Sequence, residues 1–237
     1  MKFRRIRAVL KKQIMDTVNN RGILLRFLIY PVIALLMMIV LPKDATLRIS
    51  TVITISSMFV AMIPIMTIGG IVSEDKYTGS LRMLILSTVK PIEYFIGITS
   101  YIILISIISC VMLGLIAGFV GIELLYFIGI LLLGICATLL LGSVIAIKSP
   151  ARVGLSNAII IVSIVNGFIP MIGSLNSTIN TITKYWYMTQ VQNLLGDLSG
   201  NYYGNVPYRL IIIISNAILF LILFIVFFKN NRFINKD

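Results

Sequence analysis

The chain has 237 residues, 59% of them hydrophobic and 12% charged, with a formal charge of +12 and no histidine. A water-soluble domain carries about 25% charged residues, so this composition excludes an ordinary soluble enzyme and points to burial in a bilayer. Lack of histidine removes His-ligated metal sites and Ser-His hydrolysis, and basic residues gathered at segment ends follow membrane topology rather than nucleic-acid binding.

Residues 1–20 read as a basic amphipathic helix. Phe3, Ile6, Leu10, Ile14 and Val18 recur every three or four positions, with Arg4, Arg5, Lys11, Lys12 and Asp16 opposite. Such a helix suits the inner membrane interface, either as a simple anchor and topology signal or as an elbow that senses a cytosolic partner. The basic region extends to Arg26 and no small-x-small cleavage site follows, so the segment is expected to be retained.

Six apolar runs follow, near Leu25–Leu41, Ile49–Val72, Tyr94–Val120, Leu124–Ile147, Gly154–Ile172 and Tyr208–Phe228. Each can cross about 30 Å of hydrocarbon at about 1.5 Å per residue. The predicted fold is an all-α polytopic bundle of six transmembrane helices, one domain over 1–237, with residues 1–22 as the amphipathic segment, 25–228 as the bundle and 229–237 as a tail. The third and fourth runs are separated by Gly121-Ile122-Glu123, a turn tight enough to make them a helical hairpin. Lys and Arg number eight in 1–26, three in 73–93, two in 148–153 and three in 229–237, against four (Lys43, Arg48, Lys184, Arg209) on the other side. That asymmetry places both termini in the cytoplasm.

Between the second and third runs lies a charged island, Ser73-Glu74-Asp75-Lys76, followed by Tyr77-Thr78-Gly79-Ser80 and a short apolar helix. Leu81, Leu84 and Ile85 make an i, i+3, i+4 face, with Glu74, Asp75, Lys76 and Arg82 around it. Apolar knobs rimmed by charge suit a groove in a partner protein; the alternative is a helix lying on the membrane between two spans. Gly69-Gly70 and Pro64, just upstream, are candidate hinge positions.

No ionisable side chain falls in the middle of any run, which argues against a proton- or sodium-coupled carrier. Cys110 and Cys136 sit inside apolar runs and read as small buried hydrophobes rather than a disulfide or ligand pair. The second run carries Ser50, Thr51, Thr54, Ser56, Ser57 and Thr67 and a methionine stripe of Met58, Met62 and Met66; the fifth carries Asn157, Ser163 and Asn166. These groups are candidates for a substrate path, notably Thr54, Ser57, Met58, Met62, Asn157 and Asn166. The alternative is that the hydroxyls bond back to their own helices and the methionines pack. Gly114 and Gly118 form a small-x3-small pair. Segment 173–207 is expected to hold a short re-entrant or interfacial helix through Leu175, Ile179 and Ile182, an aromatic headgroup anchor at Tyr185-Trp186-Tyr187, and a flexible turn marked by Gly196, Gly200 and Gly204. Its Asn176-Ser177-Thr178 sequon is taken as coincidence.

The order of basic helix, two spans, Glu74-x4-Gly79-Ser80-Leu81-x2-Leu84 with Pro91 beyond, then four spans with an insert before the last, resembles the membrane permease of ABC-2 type ABC transporters. The likeness covers the whole chain in layout and residues 73–97 in motif, with Ser80 in place of the usual Thr and Arg82 in place of the usual acid. It implies that Glu74, Gly79, Ser80, Leu81, Leu84 and Ile85 form a coupling helix for a cytosolic ABC ATPase, with the N-terminal helix as the connecting helix. The chain has no Gly-x4-Gly-Lys-Ser/Thr phosphate loop, so no cofactor is expected on it; ATP and Mg would sit in the partner subunit. A second permease copy or relative would complete the path in a bacterial plasma membrane, and the chain itself would not be an enzyme. The expected role is an exporter subunit for an amphiphilic antimicrobial peptide, drug or lipid-like molecule. The alternatives are a non-transporting scaffold or sensor that docks a signalling protein, and an ion-coupled carrier.

Overall fold

Long apolar runs leave the backbone no hydrogen-bonding partner but itself, and helices satisfy every N–H and C=O within one segment. The computed structural model describes residues 3–19, 21–42, 44–86, 90–150, 156–175, 177–200 and 205–230, and among these it has ten α-helices and no strand. They are α1 (Phe3–Asn19), α2 (Arg21–Val40), α3 (Ala45–Tyr77), α4 (Ser80–Leu86), α5 (Pro91–Ile116), α6 (Gly121–Lys148), α7 (Asn157–Leu175), α8 (Ser177–Thr183), α9 (Tyr187–Gly200) and α10 (Val206–Asn230). Five stretches, Gly22–Val40, Ala45–Tyr77, Pro91–Ile116, Gly121–Lys148 and Val206–Phe228, are long and apolar enough to cross a bilayer. The chain is a multi-pass helical membrane protein. The sixth expected run falls on α7, whose apolar stretch, Asn157–Gly173, is shorter than these five.

Among the described residues α3 and α6 form the centre. α3 packs on α2, α5, α6, α7 and α9, while α6 also meets α5, α9 and α10. Small residues let these axes approach. A Cβ on Gly142 of α6 would lie 2.7 Å from Ile68 Cγ2, and one on Gly69 of α3 would lie 2.5 Å from Ile159 Cδ1 of α7. α7 runs antiparallel along α3, from Ile159 beside Gly69 to Asn166 beside Ala61. The outward faces of α2 and α10 are exposed aliphatics such as Leu25, Ile29, Leu36, Ile211, Ile218 and Ile225, as lipid-facing surfaces require.

Several boundaries differ from the sequence reading. The α5–α6 hairpin turns at 117–120 rather than 121–123. Gly118 takes φ 87°, with Phe119 N–H on Gly114 O at 3.0 Å and Gly118 N–H on Leu115 O at 3.1 Å, so the reversal is made by a Schellman cap. Gly114, the other member of that pair, seats Leu124 and Phe127 of the returning helix. α3 is continuous through Pro64, Gly69 and Gly70; the break comes at Gly79, with φ 71°. Cys110 is buried, but Cys136 is exposed on the outer face of α6. Gly154, Asn176, Gly204 and residues 231–237 lie outside the described residues, as do the side chains of Val18 and Ile85.

Where a short re-entrant or interfacial helix is expected within 173–207, the described residues form two, α8 and α9, of unlike burial. α8 leaves Ile179 and Ile182 exposed, whereas α9 buries Tyr187, Met188, Val191, Leu194, Leu195 and Leu198 against α3, α6, α7 and α10. Gly196 lies within α9 and Gly200 at its end, so neither interrupts it. Tyr187 is fully buried and is a core residue; only Tyr185 of the aromatic triplet is exposed.

Candidate functional site

At about 1.5 Å per residue the 33 residues of α3 extend about 50 Å, well beyond the hydrocarbon thickness. Its charged last two turns, Glu74, Asp75 and Lys76 among them, follow the apolar stretch. Asp75 continues the i, i+4, i+7 row of Ile68 and Val72, both fully buried, and is itself buried. Its carboxylate is held from two sides: Lys12 Nζ of α1 lies 2.5 Å from Oδ1, and Tyr94 OH of α5 donates to Oδ2 at 2.7 Å. Next to it, Lys76 Nζ donates to the carbonyls of Ala146 (3.0 Å), Ile147 (2.9 Å) and Ser149 (2.8 Å). That places a cation at the C-terminal end of α6, where the free carbonyls and the helix dipole favour it.

A second contact runs parallel to the first. Glu93 of α5 is buried, accepts the Lys90 N–H at 3.1 Å and faces Arg5 of α1 at 3.6 Å. Just over three turns further along α1, the Thr17 hydroxyl meets Tyr101 OH of α5. Val9 fits against Gly97, where a Cβ would lie 2.7 Å from Val9 Cβ. The base of α3 is thus joined to α1, α5 and α6. The amphipathic helix buries Val9, Gln13 and Thr17, not the expected apolar row, and leaves Phe3 and Ile14 exposed.

α4 hangs from this base through the left-handed turn at Gly79. Met83 N–H bonds to Gly79 O at 3.1 Å, and the Thr78 and Ser80 hydroxyls meet at 2.8 Å. Leu81 is buried in the core at 5% exposure and Leu84 packs half-buried against it. The apolar face expected to receive a partner is therefore turned inward, because a short helix beside a membrane bundle gains more by burying its own leucines. What α4 and the end of α3 present outward is Glu74, Tyr77, Arg82, Met83 at 64% and Leu86 at 75% exposure. Of the four charges expected around the knobs, Glu74 and Arg82 remain exposed; Asp75 and Lys76 are engaged internally.

Of the candidate path residues, Thr54, Met58 and Met62 lie along one face of α3 and Asn166 packs beside α3 at Ala61, whereas Asn157 stands apart. The hydroxyls of Ser50, Thr51, Thr54, Ser56, Ser57 and Thr67 all donate to carbonyls of their own helix. Met58 and Met62 are half-buried, and Met62 sulfur accepts from Tyr30 OH at 3.3 Å. Asn157 is exposed at the start of α7, whereas Asn166 lies at its middle. Thr54 lines a polar cleft of about 320 Å³ on the face away from α4, with Ser50, Gln192, Asn193, Asp197 and Arg209.

Asn166 is committed to a buried network. Its Nδ2 donates to Ala61 O at 3.0 Å and Tyr187 OH at 2.7 Å, its Oδ1 accepts from Trp186 Nε1 at 2.8 Å, and Tyr187 OH meets Thr138 Oγ1 at 3.0 Å. One carboxamide ties α7 to α3, α9 and the α8–α9 turn, and Tyr187 extends the network to α6. Lys12, Tyr94, Glu93 and Tyr187 were not singled out as site residues from the sequence. Only the helical row through Ile68, Val72 and Asp75 offered a signal. No protein-family model and no curated protein matches this chain.

Proposed function

We propose that the chain is the membrane-spanning subunit of an ATP-driven ABC exporter of the ABC-2 type, with α4 receiving force from a separate ATPase subunit. In this reading α7 makes the sixth crossing, both termini and α4 lie in the cytoplasm of a bacterial cell, and a second permease subunit completes the path. The observation that carries it is the mechanical arrangement at the end of α3. A short helix with outward Met83, Leu86 and Tyr77 is anchored inward by Leu81, and its base is joined by Asp75 and Lys76 to three further helices. Displacement of α4 would be passed to α1, α5 and α6 together rather than lost in a loose loop.

The partner must bind two conformations of this chain with different affinity in its two nucleotide states, or hydrolysis shifts nothing. An amphiphilic substrate, such as a peptide, a drug or a lipid-like molecule, suits walls of aliphatics and methionines without deep charge.

The test is to purify the full chain from its own membrane and ask whether an ATP-hydrolysing subunit with nucleotide-binding motifs accompanies it. Met83→Glu/Leu86→Glu is expected to abolish that association and any stimulated hydrolysis while the chain still inserts and keeps its Trp186 fluorescence. A double variant that assembles and turns over like the wild type refutes α4 as the docking element. Full function with no ATPase present refutes the reading as a whole.

A further inference from the structure

α1 divides its cations between two faces. Arg5 and Lys12 turn inward, to Glu93 and Asp75. Arg4, Arg7 and Lys11 are exposed and have no acidic partner among the described residues. At about 100° per residue, Arg4, Arg7, Lys11 and Ile14 fall at i, i+3, i+7 and i+10 on one stripe, with Phe3 alongside. Phe3 is 80% and Ile14 42% exposed. The one other charge on this helix, Asp16, projects from the far side of the stripe. Two features fix where this stripe lies. Val9 against Gly97 and Thr17 against Tyr101 hold the opposite face of α1 on α5. Directly after α1, the chain enters α2, whose exposed Leu24, Leu25 and Ile29 face lipid and whose Arg26 is exposed within the first turns. The layer into which Arg26 must snorkel is the one beside α1.

We propose that the outward face of α1, formed by Arg4, Arg7, Lys11, Phe3 and Ile14, is a binding surface for anionic phospholipid headgroups. Aromatic and aliphatic side chains enter the headgroup–acyl boundary while three cations meet lipid phosphates, the combination that makes an amphipathic helix selective for negatively charged lipid. The assignment requires only that the chain crosses a membrane; it does not rest on coupling to an ATPase.

The experiment uses the full chain in a neutral detergent, with phosphatidylglycerol and phosphatidylcholine offered together and retained lipid counted by native mass spectrometry. The wild type is expected to retain phosphatidylglycerol in preference, and the preference to fall as salt rises. Each cation removed should cost about fivefold, so Arg4→Gln/Arg7→Gln/Lys11→Gln should lose about 100-fold. Lys11→Gln alone keeps the test readable should the triple variant fail to fold. Arg48→Gln/Lys184→Gln, on the opposite face, should change nothing. A wild type indifferent to lipid charge, as expected if a soluble acidic protein were the occupant, overturns the proposal. So does a preference that survives in Lys11→Gln and the triple variant, or one that disappears in the opposite-face control.

Discussion

Lys12 of α1 and Asp75 of α3, 63 positions apart in sequence, form a 2.5 Å ion pair at the base of the bundle. The lysine side chain keeps 31% exposure and the aspartate 9%, so the two ends of the bond are not equivalent. Lys12→Met leaves a buried carboxylate with Tyr94 as its remaining partner and is expected to cost about 1–3 kcal/mol, below the range for a fully buried pair because water reaches this one. Asp75→Asn leaves a lysine that can hydrate and should cost less. In the double variant Lys12→Met/Asp75→Asn part of the loss should return. Unfolding in mixed micelles as a double-mutant cycle measures this; strict additivity would mean that the pair contributes nothing.

The two faces of α4 should separate cleanly in the same assay. Leu81 is enclosed, and Leu81→Ala removes buried methyl groups for about 2–3 kcal/mol. Met83→Ala and Leu86→Ala touch exposed side chains and should stay within about 0.5 kcal/mol of the wild type. Equal effects on both faces would show that α4 is not seated through Leu81.

The helical class and the positions of the long apolar helices were legible because hydropathy over about twenty residues survives any error in packing. Legibility failed where a choice depended on which neighbour a side chain meets. Leu81 and Leu84 look identical on paper whether they face a partner or the core. Asp75 and Lys76 read as surface charges because nothing local announces Tyr94 or the carbonyl end of α6. Asn166 read as a path residue, and its three bonds go to Ala61, Tyr187 and Trp186 on other elements. The α5–α6 reversal uses two glycines, Gly118 at φ 87° closing α5 through the Schellman bonds to Gly114 and Leu115 and Gly121 at φ 59° opening α6, and only the second is legible as a turn beside Glu123.

Asp44 gives a pH signature at the start of α3. Its carboxylate accepts from the Thr46 hydroxyl at 2.6 Å and the Thr46 N–H at 3.0 Å, and these bonds hold its pKa below the usual carboxylate value. A depressed folded-state pKa contributes stability above the unfolded value near 4, and that contribution is lost as pH falls through the folded value. Hydrogen-exchange protection of the first turn of α3 should therefore be constant at neutral pH and drop below about pH 4. Asp44→Asn, which caps without titrating, should remove the dependence.

Tyr187 carries the hydrogen-bond network that seats α9. Tyr187→Phe keeps the ring among Trp186 and Phe220 but strands one Asn166 N–H, while the Thr138 hydroxyl retains Gly134 O. The expected loss is about 0.5–1.5 kcal/mol. It should appear as faster amide exchange in α9 with little change in α5. Asn166→Leu breaks three bonds at once and should loosen α9 further. If either variant leaves α9 protected to the wild-type degree, apolar burial alone holds that helix.

Gly97 and Gly129 offer a matched pair for the seating of α1. Both lie inside helices, where alanine is favoured over glycine by about 0.8–1.0 kcal/mol. A Cβ on Gly129 meets nothing within 4 Å, so Gly129→Ala should be neutral or stabilising. At Gly97 the added carbon would lie 2.7 Å from both Cβ and Cγ1 of Val9 and 3.3 Å from the Ile6 carbonyl oxygen. Val9 Cβ is fixed to the backbone and cannot rotate away, so the whole helix must shift. Gly97→Ala should therefore move α1 off α5, weaken the Lys12–Asp75 and Arg5–Glu93 contacts along with it, and lower stability despite the better helix propensity. Spin labels at Ala8 and at Ser100 would record the displacement. An unchanged distance in Gly97→Ala would mean that the Val9–Gly97 contact does not set the spacing of α1 from α5.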